Sequence, residues 1–310
     1  MQPKLTMTAS DWLLLILLST FWGGSFFFAE IAVREIPPLT LALGRCAIAA
    51  VVLLVYVKAT GLELPKGRAV WGSLLVLAVL NTALPFTLIF WGQTHITSGL
   101  AGILNSTAPL FSILLAHFAT SDDRLTGRRI VGIAIGFVGA VITIGIHALS
   151  DLGVQTIAQL AIVLAAFCYA AAGVFGRRFK SYPPAVIAAS VLILGSAMLA
   201  PLSAYGDRPW TLPMPSLEAL AAMVGLAVIS TALAFLIYFR VLARAGAVNL
   251  QLVAYLIPVS AILLGVGFLG ETLETRHMVG MFVIAIGLAA IDGRPHQAIM
   301  RVFRGAPKEA

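Results

Sequence analysis

Ten apolar stretches, most of them long enough to cross a bilayer as helices, run through the chain from Trp12 to Asp292, broken by short joints rich in charge, glycine and proline. That succession limits the possible folds more than any other feature. A helix needs roughly 20 apolar residues to span the hydrocarbon layer. Inside that layer every backbone N–H and C=O must find an internal partner. Membrane barrels meet the demand with strands of about ten residues that alternate in polarity, and these runs do not alternate. The chain therefore reads as an all-α integral membrane protein. Its spans lie at about residues 12–32, 38–58, 70–91, 97–118, 127–147, 155–176, 184–204, 217–239, 247–268 and 277–292. Composition agrees: 60% of residues are hydrophobic, 11% are charged and the mean hydropathy is +1.00.

The formal charge of +7 could suggest a nucleic-acid partner, but the basic residues lie in joints and form no stripe. Sixteen fall on one side: Lys4; Lys58, Lys66 and Arg68; Arg124, Arg128 and Arg129; Arg177, Arg178 and Lys180; Arg240 and Arg244; and Arg294, Arg301, Arg304 and Lys308. The other side holds three, Arg34, Arg208 and Arg276, and Arg45 lies inside a span. The side rich in Lys and Arg is expected to be cytoplasmic. Both termini then face the cytoplasm, which requires an even number of crossings. The location expected is the cell inner (plasma) membrane. The first span exceeds a signal-peptide core and no small-residue cleavage site follows it, so it is expected to be retained. Cys46 and Cys168 both sit in apolar runs, which argues against a disulfide framework or a zinc site. No metal or cofactor is expected.

The chain also repeats itself. Pro109 and Pro258 are 149 residues apart, and the same offset relates Thr82-Ala83-Leu84 to Thr231-Ala232-Leu233 and Phe86 to Phe235. After one residue of slippage, Gly132 and Gly139 match Gly280 and Gly287, Leu125 matches Leu273 and Arg128 matches Arg276. Pro37-Pro38 aligns with Pro183-Pro184, and Phe21 with Phe167. Each half holds five crossings, an odd number, so the second half must be inverted relative to the first. Residues 1–150 form the first repeat, 151–293 the inverted second and 294–310 a basic tail. Alternating-access transporters use this architecture, with a site near the bilayer midplane between the repeats.

Three groups of motifs stand out: Phe21-Trp22-Gly23-Gly24-Ser25-Phe26, Pro37-Pro38 and Arg45; Thr97-Ser98 leading to Pro109, then Asp122-Asp123-Arg124-Leu125-Thr126 and Gly132; and, in the second half, Pro258 through Glu271-Thr272-Leu273 and Gly280. Together they resemble the drug/metabolite transporter superfamily and its EamA family. Asp122 and Asp123 stand where the family usually carries Glu. The resemblance covers about residues 10–292. Within the superfamily the chain is most similar to the YddG-type amino-acid exporters of bacterial inner membranes. That resemblance implies a ten-helix bundle exporting small metabolites through a cavity lined by spans one, three, four, six, eight and nine.

The residues can be weighed independently for such a cavity. Ser98, Gly102, Asn105, Pro109 and Ser112 recur at steps of four and three, so they share one helical face. That face must turn inward, for helix packing or for a cavity. Gln251 and Tyr255 stand in span nine, Asn81 and Thr82 in span three, Ser230 and Thr231 in span eight, Trp22 in span one and Tyr169 in span six. The substrate-binding candidates are Trp22, Asn81, Thr82, Asn105, Tyr169, Ser230, Gln251 and Tyr255. They supply amides, hydroxyls and aromatic walls without fixed charge, which suits a neutral or zwitterionic small molecule. Trp12, Trp71 and Trp210 sit at span ends and read as interface anchors. Pro109 and Pro258 each remove a backbone hydrogen bond and mark candidate hinges.

Gly132, Gly136 and Ala140 form a small-residue series suited to close helix packing, with a dimer face as the other reading. A monomer or weak dimer is expected. Intramembrane charges are functional candidates, and Glu30 and Arg45 are the two here, both toward the outer end. Arg45 could snorkel, hold a substrate carboxylate or pair with Glu30, and pairing ranks first. No acid lies at mid-membrane to relay protons, so uncoupled, facilitated transport is expected. A proton antiporter for drugs or other metabolites is the alternative. An intramembrane enzyme would need a nucleophile–base or metal constellation, and the histidines are scattered. An ATP-driven pump would need a phosphate-binding loop, and none is present.

Overall fold

The computed structural model describes residues 7–119, 126–145 and 153–292. Lys4, the motif from Asp122 to Leu125, His147 and the basic tail from Arg294 onward lie outside the described residues. Within them the chain forms ten rods: α1 (Ala9–Ala32), α2 (Pro38–Ala59), α3 (Arg68–Gln93), α4 (Ser98–Ala119), α5 (Gly127–Ile144), α6 (Val154–Phe179), α7 (Pro184–Gly206), α8 (Leu217–Gly246), α9 (Val253–Leu269) and α10 (Thr275–Ile291). The first eight are long and apolar enough to cross a membrane, and the last two are shorter apolar helices. Large apolar side chains face outward from this bundle, Leu13, Val55, Leu263 and Phe282 among them. That is the surface expected when lipid is the solvent.

Local chemistry sets the ends. Thr8 and Asp11 form a reciprocal capping box at the start of α1, satisfying two orphan N–H groups. Prolines 38 and 184 occupy the first turns of α2 and α7, where no N–H is needed. The indole of Trp71 donates to the Pro65 carbonyl at 2.9 Å, anchoring the entry to α3.

The packing obeys a two-fold relation between the halves. α5 lies along α10, and α2 along α7. The pair α1–α9 has its counterpart in α6–α4, and α1–α8 in α6–α3. The inverted repeat inferred from the 149-residue offset is thus expressed in which helices touch. The α5–α10 pair shows why its glycines recur. A Cβ on Gly139 would stand 2.8 Å from the Gly280 carbonyl oxygen, and one on Gly287 would stand 2.7 Å from that of Gly132. Both fall inside van der Waals contact, so the small-residue series serves this internal seam. Gly23 does the same for α1 and α9: its Cβ would meet the Ser260 Cβ at 2.5 Å.

Ionic and polar ties sort the helix ends into two sets. At the end where α1 starts and α10 finishes (the termini end), Arg244 on α8 pairs with Asp11 on α1 at 3.0 Å. At the opposite end, three carboxylates grip the starts of helices in the other half. Glu35 accepts from the Ser216 N–H at 2.6 Å and its hydroxyl at 2.7 Å. Asp207 accepts from the Thr40 N–H at 2.7 Å and its hydroxyl at 2.8 Å. Glu271 accepts from the Ser98 and Gly99 N–H groups at 2.8 and 2.9 Å. A carboxylate at a helix start meets unpaired N–H groups and the positive end of the helix dipole. The two bonds from Ser216 hold the Glu35 carboxyl below its ordinary range.

The rods are not uniform. Helices α3 and α8 each contain a wide π turn, at Val79–Ala83 and Val228–Leu233. The repeated Thr-Ala-Leu match falls within or at the edge of both. α4 is interrupted at Ser106-Thr107. Pro109 cannot donate to the Asn105 carbonyl, and the hydroxyls of Ser106 and Thr107 bond the carbonyls of Ile103 and Leu104 at 2.6 and 2.7 Å. Its partner Pro258 sits inside the continuous α9, so the two candidate hinges differ in form. The join between spans eight and nine falls at Gly246, whose φ of 78° only glycine adopts readily. α8 therefore runs past the expected end at residue 239.

Replacing Gly139 with leucine should wedge α5 from α10 and cost about 1–3 kcal/mol or more. The expected outcome is a clearly lower Tm in detergent, while Gly72→Leu, where a Cβ meets nothing within 4 Å, leaves Tm unchanged.

Candidate functional site: an aromatic and amide cavity between the repeats

A cavity of about 440 Å³ opens among α1, α4, α6, α8, α9 and α10, toward the end of the bundle where α1 starts. It gathers Trp22, Asn105, Tyr169, Gln251 and Tyr255, five of the eight candidates, together with Pro109 and Ser112. Among the described residues, no acidic or basic side chain lines it. The break at Ser106-Thr107 places Asn105 at its wall. The side-chain oxygen of Asn105 is buried without a hydrogen-bond partner, so an acceptor stands ready for an incoming donor.

A second cavity of about 410 Å³ lies between α3, α6, α7 and α8. Asn81 and Thr82 line this one rather than the first. Its walls are mainly aliphatic and aromatic, with Phe235 and Phe239 stacked at 6.0 Å between ring centroids. Ser230 lines neither cavity. The π turn in α8 rotates it into full burial.

Tyr238 borders both cavities, and its ring tilts against Trp22 at a centroid distance of 5.6 Å. The sequence reading overlooked this residue. It stands beyond the π turn of α8, which changes the face that later side chains share, so the polar stripe of Ser230 and Thr231 does not point to it.

Arg45 does not meet Glu30. Its guanidinium is buried, donates through Nε to the Thr231 hydroxyl at 2.9 Å, and lies 3.9 Å over the Phe86 ring. The π turn in α8 makes this possible, because the Thr231 hydroxyl itself donates to the Leu226 carbonyl at 2.9 Å and keeps its lone pairs for Arg45. Phe86 sits one turn beyond the matching π turn of α3. A cation over an aromatic face is attracted by the ring quadrupole, more strongly when dry. Among the described residues no carboxylate pairs with Arg45. Glu30 faces a separate cavity at the opposite end of the bundle.

The profile of the EamA-like transporter family matches residues 10–145 and again 156–291. The chain belongs to the EamA-like transporter family. An uncharacterized transporter of Archaeoglobus fulgidus is 27% identical over 283 residues, covering 89% of this chain and 96% of the relative. The uncharacterized inner membrane transporter YedA of Escherichia coli is 26% identical, covering 89% of each chain. A probable terminal-alkyne amino-acid exporter of Streptantibioticus cattleyicolor is 26% identical, covering 92% of this chain and 93% of its own. A solved crystal structure at 21% identity matches with a TM-score of 0.66, covering 92% of this chain and 96% of that one. At that identity the likeness establishes the fold alone. The chain is thus a multi-pass membrane transporter whose two family repeats correspond to the two halves of the bundle.

Thr231→Val removes the acceptor of Arg45 without changing side-chain volume. Losing a hydrogen bond to a charged group should cost about 2 kcal/mol. The expected outcome is a drop in Tm that Thr231→Ser restores.

Proposed function

We propose that this transporter exports small neutral or zwitterionic metabolites, aromatic or other neutral amino acids first among them, by facilitated alternating access. The observation that carries the reading is the cavity lining of Trp22, Asn105, Tyr169, Tyr238, Gln251 and Tyr255. Its volume of about 440 Å³ falls within the range of small-molecule sites, which are mostly apolar with a few placed polar groups. Amide and phenol groups can bond an amino group and a carboxylate, and the aromatic walls can hold an apolar side chain. The absence of charge from the lining favours a substrate whose own charges balance. The resemblance to YddG-type exporters and the amino-acid exporter among the relatives point the same way.

Orientation supports export. The basic joints would place the termini in the cytoplasm of an inner-membrane protein. Both large cavities open toward that end, while the three carboxylate clasps tie the other. This arrangement corresponds to an inward-open state that loads substrate from the cytoplasm. The candidate hinge at Pro109 borders the cavity, so a change at the Ser106-Thr107 break would reshape the site as the halves rock.

The test is efflux of a panel of labelled amino acids from proteoliposomes without a pH gradient. Saturable flux of aromatic and large neutral amino acids is expected, reduced at least about tenfold, the scale of one lost polar contact, in Asn105→Ala and Trp22→Ala at equal protein levels. Flux that needs a pH gradient and concentrates substrate would contradict facilitation. Unchanged flux in both variants would remove the proposed site.

A further inference from the structure

Near the clasped end of the bundle lies a cavity of about 340 Å³ that the transport reading does not use. Its wall draws on the outer ends of α1, α3, α4, α6 and α10, including Glu30, Gln93, Gln159 and His277. All four carry a buried side-chain atom without a hydrogen-bond partner: Glu30 Oε2, Gln93 Oε1, Gln159 Oε1 and His277 Nε2. Gln93, Gln159 and His277 are only 3%, 5% and 6% exposed. Unpaired polar atoms at that depth are costly, and four around one cavity form a site prepared for a guest.

The network settles what each atom offers. The Gln93 amide nitrogen donates to the Phe26 carbonyl at 2.8 Å, which leaves the buried Oε1 as an unpaired acceptor. The Glu274 N–H donates to His277 Nδ1 at 3.2 Å, so a neutral His277 carries its proton on Nε2. The site therefore presents one carboxylate, two amide oxygens and one N–H. Nearby charges leave it electronegative. Arg276 is engaged by Glu274 at 2.7 Å and by the Ile144 carbonyl. Glu271 acts on Glu30 with like charge, and Arg34 acts on it with opposite charge without forming an ion pair among the described residues. His95 completes the titratable groups of the wall.

We infer that Glu30, Gln93 and Gln159 form a binding site for a monovalent cationic group at the outer end of the bundle. One carboxylate with two amide oxygens matches a single positive charge that has several coordination or hydrogen-bond positions to fill. A divalent ion would favour more carboxylates, and among the described residues no cluster of three metal-ligating side chains exists. Two sources share this chemistry. A free alkali cation would make the site a seat for ion coupling, although mid-membrane acids are missing. The ammonium group of a carried molecule would make it an outer subsite on the exit path. Binding can be measured whatever the protein carries, so the inference stands or falls apart from the proposed function.

The experiment is thermal unfolding of the purified full chain, titrated with NaCl, KCl or methylammonium chloride against choline chloride at constant ionic strength. Specific binding raises Tm with ligand concentration. A rise of several degrees over choline is expected with at least one probe, abolished in Glu30→Gln and kept in Glu63→Gln, which alters an exposed loop pair. A response to sodium or potassium alone identifies a free cation, and a response to methylammonium identifies an ammonium site. Gln159→Ala should raise the half-saturating concentration severalfold, and it decides the matter if Glu30→Gln does not fold. Equal Tm values in all four salts, a response that survives in Glu30→Gln, or a half-saturating concentration unchanged in Gln159→Ala, would overturn the inference and leave a hydrated pocket.

Discussion

In a hydrocarbon layer, a backbone carbonyl without a donor has no water to turn to, and this demand governs where the bundle can depart from regular helix. The departures sit where side chains or cavities compensate them. At the two π turns, the hydroxyls of Thr82 and Thr231 take up the Ala78 and Leu226 carbonyls. At the α4 interruption, Ser106 and Thr107 do the same for Ile103 and Leu104. These irregular segments then supply the cavity walls and hold Arg45. Polar residues in the spans thus have two tasks: they repair the backbone where the helix is broken, and they present groups to the interior.

The two-fold relation explains how such a bundle can move. Self-paired contacts, α5 with α10 and α2 with α7, are glycine-lined or alanine-rich and tightly fitted. They bind the halves while leaving α1, α4, α6 and α9 to surround the cavity. Among the described residues, three carboxylate clasps join the halves at one end, while at the other Arg244 bonds Asp11 and Ser10 and Arg128 reaches the Ile291 carbonyl. Breaking the clasps would release helix starts that water can then solvate, so their net cost is modest and reversible.

Much of this was legible in the sequence, because lipid imposes a pattern that local chemistry cannot hide. The ten runs, the inverted repeat and most of the polar face of span four followed from it. Five cavity residues fell together because each stood on an inward stripe. Other features escaped for physical reasons. A π turn adds one residue to a helical turn. At 3.6 residues per turn, that extra residue shifts every later side chain by about 100°, which resets the face on which Tyr238 stands, while Ser230 is fully buried inside the wide turn itself. Arg45 and Glu30 looked like partners because both lay at similar depth, but depth does not reveal azimuth: one turned to Thr231 and the other toward Gln93. The cavity at the clasped end was invisible because Gln93, Gln159 and His277 each stand alone in their own segment and meet only across helices.

The central claim is that the two repeats rock against each other about a fixed cavity, and paired distance measurements test it most directly. Spin labels at Thr60 and Lys180 report on the termini end, and labels at Thr94 and Thr211 report on the clasped end, in a background with Cys46 and Cys168 replaced by alanine. Double electron–electron resonance in lipid, with and without a transported amino acid, reads both distances. The account predicts reciprocal shifts: as the termini-end pair closes, the clasped-end pair opens. Distances that move in the same sense, or a single population unaffected by substrate, would contradict it.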